Sequence, residues 1–546
     1  MSCPSNRPLI THHLPNLTLI KSPAHYPLLI PPLLSIPVQH RPTPQFTPPH
    51  MLMAPPPLLS LSGLLLLLLL ASSTSNAAAA KPVQTHSLLA TPLSPDRSSA
   101  PSALARDDDK DVFAGNLAAA EDAAASTVSF SVVHRDDFAV EATAAELLAH
   151  RLERDGKRAA RISAAAGAAN RTRGGSGGVV APVVSGLAQG SGEYFTKIGV
   201  GTPATPALMV LDTGSDVVWL QCAPCRRCYE QSGQVFDPRR SGSYGAVDCS
   251  APLCRRLDSG GCDLRRRACL YQVAYGDGSV TAGDFATETL TFAGGARVAR
   301  IALGCGHDNE GLFVAAAGLL GLGRGSLSFP TQISRRYGRS FSYCLVDRTS
   351  SANPASRSST VTFGSGALGS TVASSFTPMV KNPRMETFYY VQLIGISVGG
   401  ARVPGMANSD LRLDPSSGRG GVIVDSGTSV TRLARPAYSA LRDAFRAAAA
   451  GLRLSPGGFS LFDTCYDLSG RKVVKVPTVS MHFAGGAEAA LPPENYLIPV
   501  DSKGTFCFAF AGTDGGVSII GNIQQQGFRV VFDGDGQRVA FVPKGC

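Results

Sequence analysis

Two short stretches decide the fold: Val210-Leu211-Asp212-Thr213-Gly214-Ser215-Asp216 and Ile423-Val424-Asp425-Ser426-Gly427-Thr428-Ser429. In each, apolar β-forming residues lead into an acid, a hydroxyl residue and a glycine, and the two acids lie 213 positions apart (425 − 212). Each stretch is followed downstream by an apolar pair and a glycine, Leu319-Leu320-Gly321 and Ile519-Ile520-Gly521. One Asp-Thr-Gly is common in β-turns, whereas the repeat with its partner element predicts a duplicated strand–acid–turn unit.

The residue types in each unit predict a pair of facing carboxylates. An apolar strand carries the acid to the end of a buried strand, and the glycine allows the backbone to turn sharply behind it. Two like charges at short distance cannot both ionise, so one carboxyl keeps its proton and the other acts as a base. A water between them can be activated to attack a peptide carbonyl that the protonated acid polarises. The alternative interpretation is a pair of tight turns with capping aspartates.

Composition favours short strands over helices. Charged residues make up 16% of the 546 residues, while hydrophobic residues reach 44% and the chain has 58 glycines and 38 prolines. Coiled coils and long helical repeats are rich in Glu and Lys, so this composition excludes them. After residue 179 the helical patterns are few, at 330–337 and 437–450. The clearest β-rich runs are 194–200, 286–292, 388–391 and 529–532.

The amino-terminal part has the features of a processed precursor. Residues 1–50 are proline-rich, and we interpret them as a doubtful extension of the chain. The apolar run 58–70 and the small residues after it are typical of a secretory signal peptide, which we assign to 51–80. No other run is long enough for a membrane span.

Residues 81–178 are predicted to form a propeptide. Leucine and isoleucine recur at helical spacing among charges and predict a helix over Ala144–Ala168. A basic, glycine-rich stretch at 171–178 is suited to proteolytic cleavage. The alternative interpretation of the whole segment is a disordered linker.

Cysteine usage predicts an oxidising compartment. Of 13 cysteines, twelve lie from Cys222 to Cys546, and Cys3 falls in the doubtful extension. An even number of cysteines behind a signal peptide predicts six disulfides. The Cys-x-x-Cys spacing after Cys222 could also hold zinc, but no histidine lies nearby, so we expect no metal.

With these motifs, the chain resembles the pepsin-like aspartic proteases, and most closely the plant nepenthesin-type branch. The resemblance covers about residues 130–546 and implies an all-β, bilobal pepsin-like fold with a cleft between two lobes, 179–380 and 381–546. It implies a secreted aspartic endopeptidase, made as a zymogen, that hydrolyses protein or peptide substrates without a cofactor. It also implies a monomer whose other partner is its own propeptide. The expected location is extracellular, with the vacuole or plastid as alternatives.

The resemblance assigns roles to residues by motif match. Asp212 and Asp425 match the catalytic pair. Thr213 and Ser426 match the hydroxyl residues that brace the two turns against each other. Ser215 and Thr428 match those that bond the carboxylates from outside. Gly214 and Gly427 match the glycines of the two turns. Tyr275-Gly276-Asp277-Gly278-Ser279 is similar to the family's flap tip, and Trp219 matches the residue that supports Tyr275.

The resemblance also implies a disulfide pattern, which spacing alone leaves open. Cysteines 222–269 look like the nepenthesin-type insertion in the first lobe. Two stretches before residue 179, His134-Arg135-Asp136-Asp137 and Arg154-Asp155-Gly156-Lys157-Arg158, resemble the family's propeptide motifs. The implied pairs are Cys222–Cys225, Cys228–Cys305, Cys249–Cys269, Cys254–Cys262, Cys344–Cys546 and Cys465–Cys507.

Other classes of function have less support. After residue 179 only His307 and His482 remain, without a Gly-x-Ser-x-Gly or His-Glu-x-x-His motif, so serine and metal proteases are disfavoured.

The basic charge is a separate question. Residues 179–546 carry 35 Lys+Arg against 27 Asp+Glu, a net charge of +8. We interpret this charge as a solvated basic surface rather than a site for acidic partners. No aromatic residues are interleaved with the arginines, so nucleic acid is not expected. A catalytically silent pepsin-fold binding or inhibitor protein is the alternative function.

Overall fold

The structure is a computed structural model that describes residues 82–93, 127–138, 142–168, 194–275, 279–311, 313, 315–345, 359–369, 371, 375–406 and 411–544. The predicted extension and signal peptide, 1–80, lie outside these residues.

Most elements in the described part of the chain are short strands. The strands of the first half are β1 (Thr85–Leu89), β2 (Thr127–His134), β3 (Tyr194–Val200), β4 (Thr205–Asp212), β5 (Trp219–Gln221), β6 (Gly245–Ala246), β7 (Gly260–Asp263), β8 (Ala268–Ala274), β9 (Val280–Thr291), β10 (Arg297–Glu310), β11 (Gly318–Gly321), β12 (Ser340–Cys344), β13 (Ser359–Gly364), β14 (Phe376–Val380) and β15 (Tyr389–Val391). Those of the second half are β16 (Leu393–Val398), β17 (Ala401–Arg402), β18 (Val422–Val424), β19 (Thr431–Ala434), β20 (Cys465–Asp467), β21 (Val473–Pro477), β22 (Val479–Phe483), β23 (Glu488–Leu491), β24 (Leu497–Pro499), β25 (Thr505–Phe508), β26 (Phe510–Thr513), β27 (Ser518–Ile520), β28 (Phe528–Asp533) and β29 (Arg538–Pro543).

The α-helices are α1 (Ala144–Ala168), α2 (Phe329–Gln332), α3 (Ser334–Tyr337), α4 (Ser365–Leu368), α5 (Arg435–Ala448) and α6 (Asn522–Gln525). Helix α1 has the predicted bounds. The predicted helix at 330–337 is two short helices joined at Ile333, and the one at 437–450 is α5, which begins and ends two residues earlier. Among the helices described, none is long and apolar enough to cross a membrane.

The first repeat unit is built from three strands. Strand β4 runs parallel to β11, so that Asp212 lies opposite Gly321, and β11 also pairs antiparallel with β5. The side chains of β4 from Ala207 to Asp212 are buried, as expected for a strand covered on both faces. The predicted partner element at 319–321 is therefore the neighbour of the strand that carries the acid.

The second repeat unit has the same arrangement. Strand β18 runs parallel to β27 with Val424 opposite Ile520, and β27 also pairs antiparallel with β19. All three residues of β18 are fully buried. The chain is therefore an all-β, two-lobed protein in which both lobes repeat one unit, as predicted.

One sheet connects the two lobes. Strand β12 lies between β13 and β28, and β28 pairs in turn with β29. On the other side β13 pairs with β2, which also pairs with β3. Strand β2, from the predicted propeptide, is thus an interior strand of this sheet.

The disulfide pairing corrects four of the implied pairs. In the structure Cys222 is bonded to Cys305 and Cys225 to Cys228, while Cys249 is bonded to Cys262 and Cys254 to Cys269. The implied pairs Cys222–Cys225, Cys228–Cys305, Cys249–Cys269 and Cys254–Cys262 are therefore wrong.

Position in the fold explains this pairing. Strand β5 runs parallel to β10, which brings the following Cys222 beside Cys305 in the core, and leaves the exposed Cys225 and Cys228 to each other. Buried Cys254 likewise pairs with buried Cys269.

One further disulfide lies within the second lobe. Cys465 is bonded to Cys507 as predicted, from opposite positions of β20 and β25. Cys344 is also disulfide-bonded, but its predicted partner Cys546 lies outside the described residues. Disulfides in this number are typical of the secretory pathway.

Candidate active site

The two acids are fully buried, each at the end of a buried strand. Asp212 ends β4 and Asp425 follows β18, and neither side chain is accessible to solvent. The backbone of each acid is bonded to the neighbouring strand: Leu322 N donates to Asp212 O at 2.7 Å, and Asp425 N donates to Ile520 O at 3.1 Å. The parallel neighbour strands thus fix the position of both acids.

Hydroxyl residues next to the acids join the two turns. Ser426 N donates to Thr213 Oγ1 at 2.8 Å, and Thr213 N donates to Ser426 Oγ at 3.1 Å. The two bonds are reciprocal and cross from one repeat to the other. They hold the two acid-bearing turns at a fixed separation.

Each carboxylate is also held within its own turn. Gly214 N donates to Asp212 Oδ1 and Gly427 N to Asp425 Oδ1, both at 3.1 Å. The outer oxygens accept from hydroxyls, Asp212 Oδ2 from Ser215 and Asp425 Oδ2 from Thr428, the latter at 2.5 Å. Both carboxylates therefore present their inner Oδ1 atoms to each other under the same constraints.

The turn glycines are required by space. A Cβ atom at Gly214 would lie 2.9 Å from Asp425 Oδ1, and one at Gly427 would lie 2.5 Å from Asp212 Oδ1. Each glycine therefore lets the opposite carboxylate approach, and any larger residue would separate the pair.

An arginine from helix α1 lies between the acids. Arg158 Nη2 donates to Asp212 Oδ1 at 2.8 Å and to Asp425 Oδ1 at 2.7 Å, and Arg158 Nε donates to Asp425 Oδ2 at 2.8 Å. The guanidinium is fully buried. One nitrogen thus occupies the point from which a single atom can bond both inner oxygens.

The ionisation of this group follows from its burial and its charges. Burial raises the pKa of Asp212 above its usual range, the Arg158 guanidinium opposes that rise, and Asp425 adds to it. Burial alone would lower the pKa of Arg158, but the carboxylates of Asp425 and Asp212 outweigh it and raise that pKa further. The arginine is therefore charged, and a single cation faces two acids.

A second charged residue of α1 ties the helix to the lobe that carries Asp425. The Asp155 carboxylate accepts from Ser429 N, from Val430 N at 3.2 Å and from Arg432 Nη2 at 2.8 Å. Asp155 is fully buried. It therefore binds the backbone directly after the second turn, three residues before the arginine that reaches the acids.

Sequence reasoning missed the roles of Asp155 and Arg158. Both lie in the stretch 154–158 that resembles a propeptide motif, but the motif does not say what it contacts. A usable signal was the pair of opposite charges at i and i+3 on an otherwise amphipathic helix, which places both side chains on one face.

The predicted flap tyrosine packs in an aromatic cluster. The rings of Tyr275 and Trp219 have centroids 6.2 Å apart, and both pack edge-on against Phe313. Burial raises the pKa of Tyr275 well above its usual range, so its hydroxyl stays protonated. Gly276 and Asp277 of the predicted flap tip lie outside the described residues. Phe313 was not predicted.

A third carboxyl lies behind the first turn. The partly buried Asp216 accepts from Gly325 N at 2.8 Å and from the Thr387 hydroxyl at 2.6 Å. Burial raises the pKa of Asp216 to about 6. A Cβ at Gly325 would collide with this carboxylate, so the glycine makes room for it.

Comparisons with known proteins identify the family of the chain. Residues 194–365 match the family described as Xylanase inhibitor N-terminal, and residues 388–543 match Xylanase inhibitor C-terminal. Aspartyl protease family protein 2 of Arabidopsis thaliana is 60% identical over 425 residues, which cover 77% of this chain and 86% of that protein. Aspartic proteinase nepenthesin-1 of Nepenthes gracilis is 40% identical over 359 residues, covering 65% of this chain and 79% of that protein.

A solved structure titled edgp shares the fold. It is similar with a TM-score of 0.50 at 20% identity, over 64% of this chain and 91% of that one. Sequence relatives that are themselves named proteases therefore carry the assignment, and the structural neighbour supports the architecture. The chain belongs to the pepsin-like aspartic proteases, in the plant nepenthesin-type branch, and is an aspartic endopeptidase.

Proposed function

We propose that Asp212 and Asp425 are the catalytic pair of this endopeptidase, and that the chain is made as a secreted zymogen whose propeptide blocks the pair. The observation that carries the proposal is the position of Arg158 Nη2, bonded to both inner carboxyl oxygens at 2.7–2.8 Å. A water oxygen at the same point would make the same two hydrogen bonds.

Hydrolysis follows from that water position. One carboxyl holds a proton and the other is a base, because two buried acids at this distance cannot both ionise. The base takes a proton from water as its oxygen bonds to the peptide carbonyl carbon, and the acid gives its proton to the carbonyl oxygen. The C–N bond then breaks as the nitrogen takes the proton now held by the former base, while a hydroxyl of the tetrahedral intermediate returns its proton to the other carboxylate, which restores the pair.

The supporting residues act on this pair without reacting. Gly214 N and Ser215 keep one carboxylate oriented, and Gly427 N and Thr428 do the same for the other. The cross-bonds of Thr213 and Ser426 keep the carboxylates within reach of one water. Tyr275, supported by Trp219, is proposed to cover the bound substrate with the flap.

The propeptide is proposed to comprise residues 81–178, with the mature lobes at 179–380 and 381–546. While Arg158 binds both acids, no water can lie between them, so the precursor is inactive. Burial raises the pKa of Asp212, so lowering the pH protonates this carboxyl and weakens its ion pair with Arg158, after which the helix can leave. Maturation then cuts the chain before residue 194.

The mature enzyme is proposed to be a monomer that acts on proteins and peptides outside the cell. Its disulfides fit an oxidising compartment, and the nepenthesin relative is a proteinase of the same branch. The alternative, a silent binding protein, conflicts with an intact acid pair and its complete set of hydrogen bonds.

The test is cleavage of denatured globin by the purified precursor after incubation between about pH 2 and 6. We expect self-processing and cleavage, both blocked by pepstatin. Asp212→Asn should abolish both, since the two acids act as a unit. Its circular dichroism should match that of the wild type. A folded precursor without pepstatin-sensitive cleavage would favour the silent binding protein instead.

A further inference from the structure

The carboxylate of Asp155 in helix α1 lies among hydrogen-bond donors that all belong to the second lobe. Its Oδ1 atom accepts from the backbone N–H groups of Ser429 and Val430, the latter at 3.2 Å. Its Oδ2 atom accepts from Arg432, from Nε at 3.1 Å and from Nη2 at 2.8 Å. Four donors thus surround one carboxylate, and the guanidinium supplies the opposite charge. We call Ser429, Val430 and Arg432 the carboxylate cradle.

The second lobe itself holds the carboxylate cradle in place. Arg432 belongs to strand β19, which pairs with β26 and β27. Ile523 N donates to Ser429 O at 3.0 Å, and Thr431 N donates to Gln524 Oε1 at 3.0 Å. These contacts do not involve helix α1. The positions of the four donors therefore do not depend on the helix.

Removal of helix α1 leaves the Arg432 guanidinium without its carboxylate. The Arg432 side chain is 9% exposed in the precursor. Among the residues that the structure describes, its ion pair is with Asp155 alone. A cation in such a partly enclosed site attracts an anion more strongly than a cation on the open surface, because the local dielectric constant is lower. Once the helix has left, the carboxylate cradle is therefore a preformed site for another carboxylate.

The carboxylate cradle lies close to the acid pair. Arg158 bonds both Asp212 and Asp425, and Asp155 precedes it by three residues on the same helix. Three residues of an α-helix advance about 4.5 Å along the axis, whereas an extended peptide advances about 3.3 Å per residue. A peptide whose scissile carbonyl lies at the acid pair therefore reaches the cradle with a side chain within about three residues of that bond.

We propose that the carboxylate cradle is a substrate subsite of the mature enzyme, and that it binds an aspartate or glutamate side chain near the scissile bond. This rests on the proposed zymogen function, since the cradle is free of Asp155 only when helix α1 has left. Arg432 is the specificity-determining residue, because it supplies the positive charge. The subsite takes one carboxylate and does not require a substrate that is acidic overall.

The test compares matched acidic and neutral peptides, cleaved by the acid-processed enzyme at about pH 5, where a free aspartate is ionised. The parent is a globin peptide that the wild type cleaves. Aspartate or asparagine is placed, one at a time, at the three positions on either side of the scissile bond. We expect one position at which kcat/KM for aspartate exceeds that for asparagine about 10- to 100-fold, mainly through a lower KM. Equal values at every position would overturn the proposal.

Variants of Arg432 show whether the carboxylate cradle causes this preference. Arg432→Gln should lower the ratio of kcat/KM for aspartate over asparagine to about 1, and Arg432→Lys should keep part of it. Because Arg432→Gln leaves the buried Asp155 without its cation, it is combined with Asp155→Asn, and Asp155→Asn alone is the parent. Processing removes position 155, so the mature parent has the wild-type sequence.

Arg435→Gln is the matched control. Arg435 lies three residues after Arg432, but it is exposed and pairs with the exposed Asp514. This variant should therefore keep the wild-type preference for aspartate. A preference that stays unchanged in the Arg432→Gln double variant, or that Arg435→Gln removes to the same extent, would overturn the proposal.

Failure of this proposal differs from failure of the zymogen function. A wild type that cleaves none of the peptides would overturn the zymogen function and the subsite with it. Cleavage of the aspartate and asparagine peptides at equal rates would overturn the subsite alone. If the Arg432 variants do not fold, the aspartate-to-asparagine ratio of the wild type still decides whether the subsite exists.

Discussion

Outside the acid pair, Asp216 is a residue whose ionisation should change the free energy of unfolding with pH. Its pKa of about 6 lies above the usual 3.8, so between these values the folded chain holds a proton that the unfolded chain releases. This contribution to stability is fully present below pH 3.8 and is lost as the pH rises through 6. The difference is worth up to about 2 kcal/mol for a partly buried group.

We therefore expect the free energy of unfolding of Asp216→Asn, measured relative to that of the parent chain, to be higher at pH 7 than at pH 4. The measurement is the free energy of unfolding by urea at both values, with Asp212→Asn as the parent so that self-processing does not interfere. The exposed Glu230→Gln is the control and should show no such trend. A constant difference between Asp216→Asn and its parent would contradict the assigned ionisation.

Among the individual residues, the sequence predicts the acid pair but not Arg158, which blocks that pair. Asp212 and Asp425 can be predicted because each lies within one local motif, in which the apolar strand, the acid, the hydroxyl residue and the glycine follow each other directly in the sequence. The contact of Arg158 with Asp212 spans 54 positions and depends on how a separate helix docks. Periodicity gives the faces of that helix, while its target depends on the tertiary fold.

Helix α1 is the element whose bounds the sequence predicts best. Thr143 and Glu146 form a reciprocal capping box, with Glu146 N donating to Thr143 Oγ1 at 3.3 Å and Thr143 N donating to Glu146 Oε2 at 2.8 Å. Leu152 and Ile162 are buried against the lobe as their spacing predicts. Local signals therefore suffice for an element whose ends and apolar stripe are encoded within it.

Disulfide pairing is an element-level property that the sequence does not encode in the same way. Cys262 and Cys269 lie directly opposite each other in the hairpin of β7 and β8, yet each is bonded to a cysteine outside it. Pairing follows which sulfur is buried and which is exposed. That distinction exists only once the strands are packed.

The element-scale prediction concerns Arg158. Arg158→Met fills a similar volume but removes the cation that bonds both acids, so the helix loses its hold on the pair. We expect self-processing of the precursor to become faster and to extend to higher pH. The control is Lys157→Met, since Lys157 is exposed and, among the residues that the structure describes, its ion pair is with Glu153 on the same helix. The rate of precursor loss on gels between pH 3 and 6 is the measurement, and equal rates in the two variants would refute the blocking role.

At the scale of the whole molecule, the two lobes meet through the repeated units. The bonds between Thr213 and Ser426 cross from one lobe to the other beneath the carboxylates. They lie in a fully buried region, where an unpaired backbone N–H is costly. These bonds therefore fix the distance between the acids and also stabilise the contact between the lobes.

Thr213→Val tests this coupling, because it keeps the shape of the side chain and removes the hydroxyl that accepts from Ser426 N. We expect a loss of about 1–3 kcal/mol in the free energy of unfolding. The turnover number should fall while KM changes little, since the acids are less well positioned but the cleft is unaltered. Thr213→Ser keeps the hydroxyl and should restore both. If Thr213→Val kept the stability and turnover number of the wild type while Thr213→Ser was impaired, methyl packing would be the cause, and the cross-bond would not be what couples the lobes.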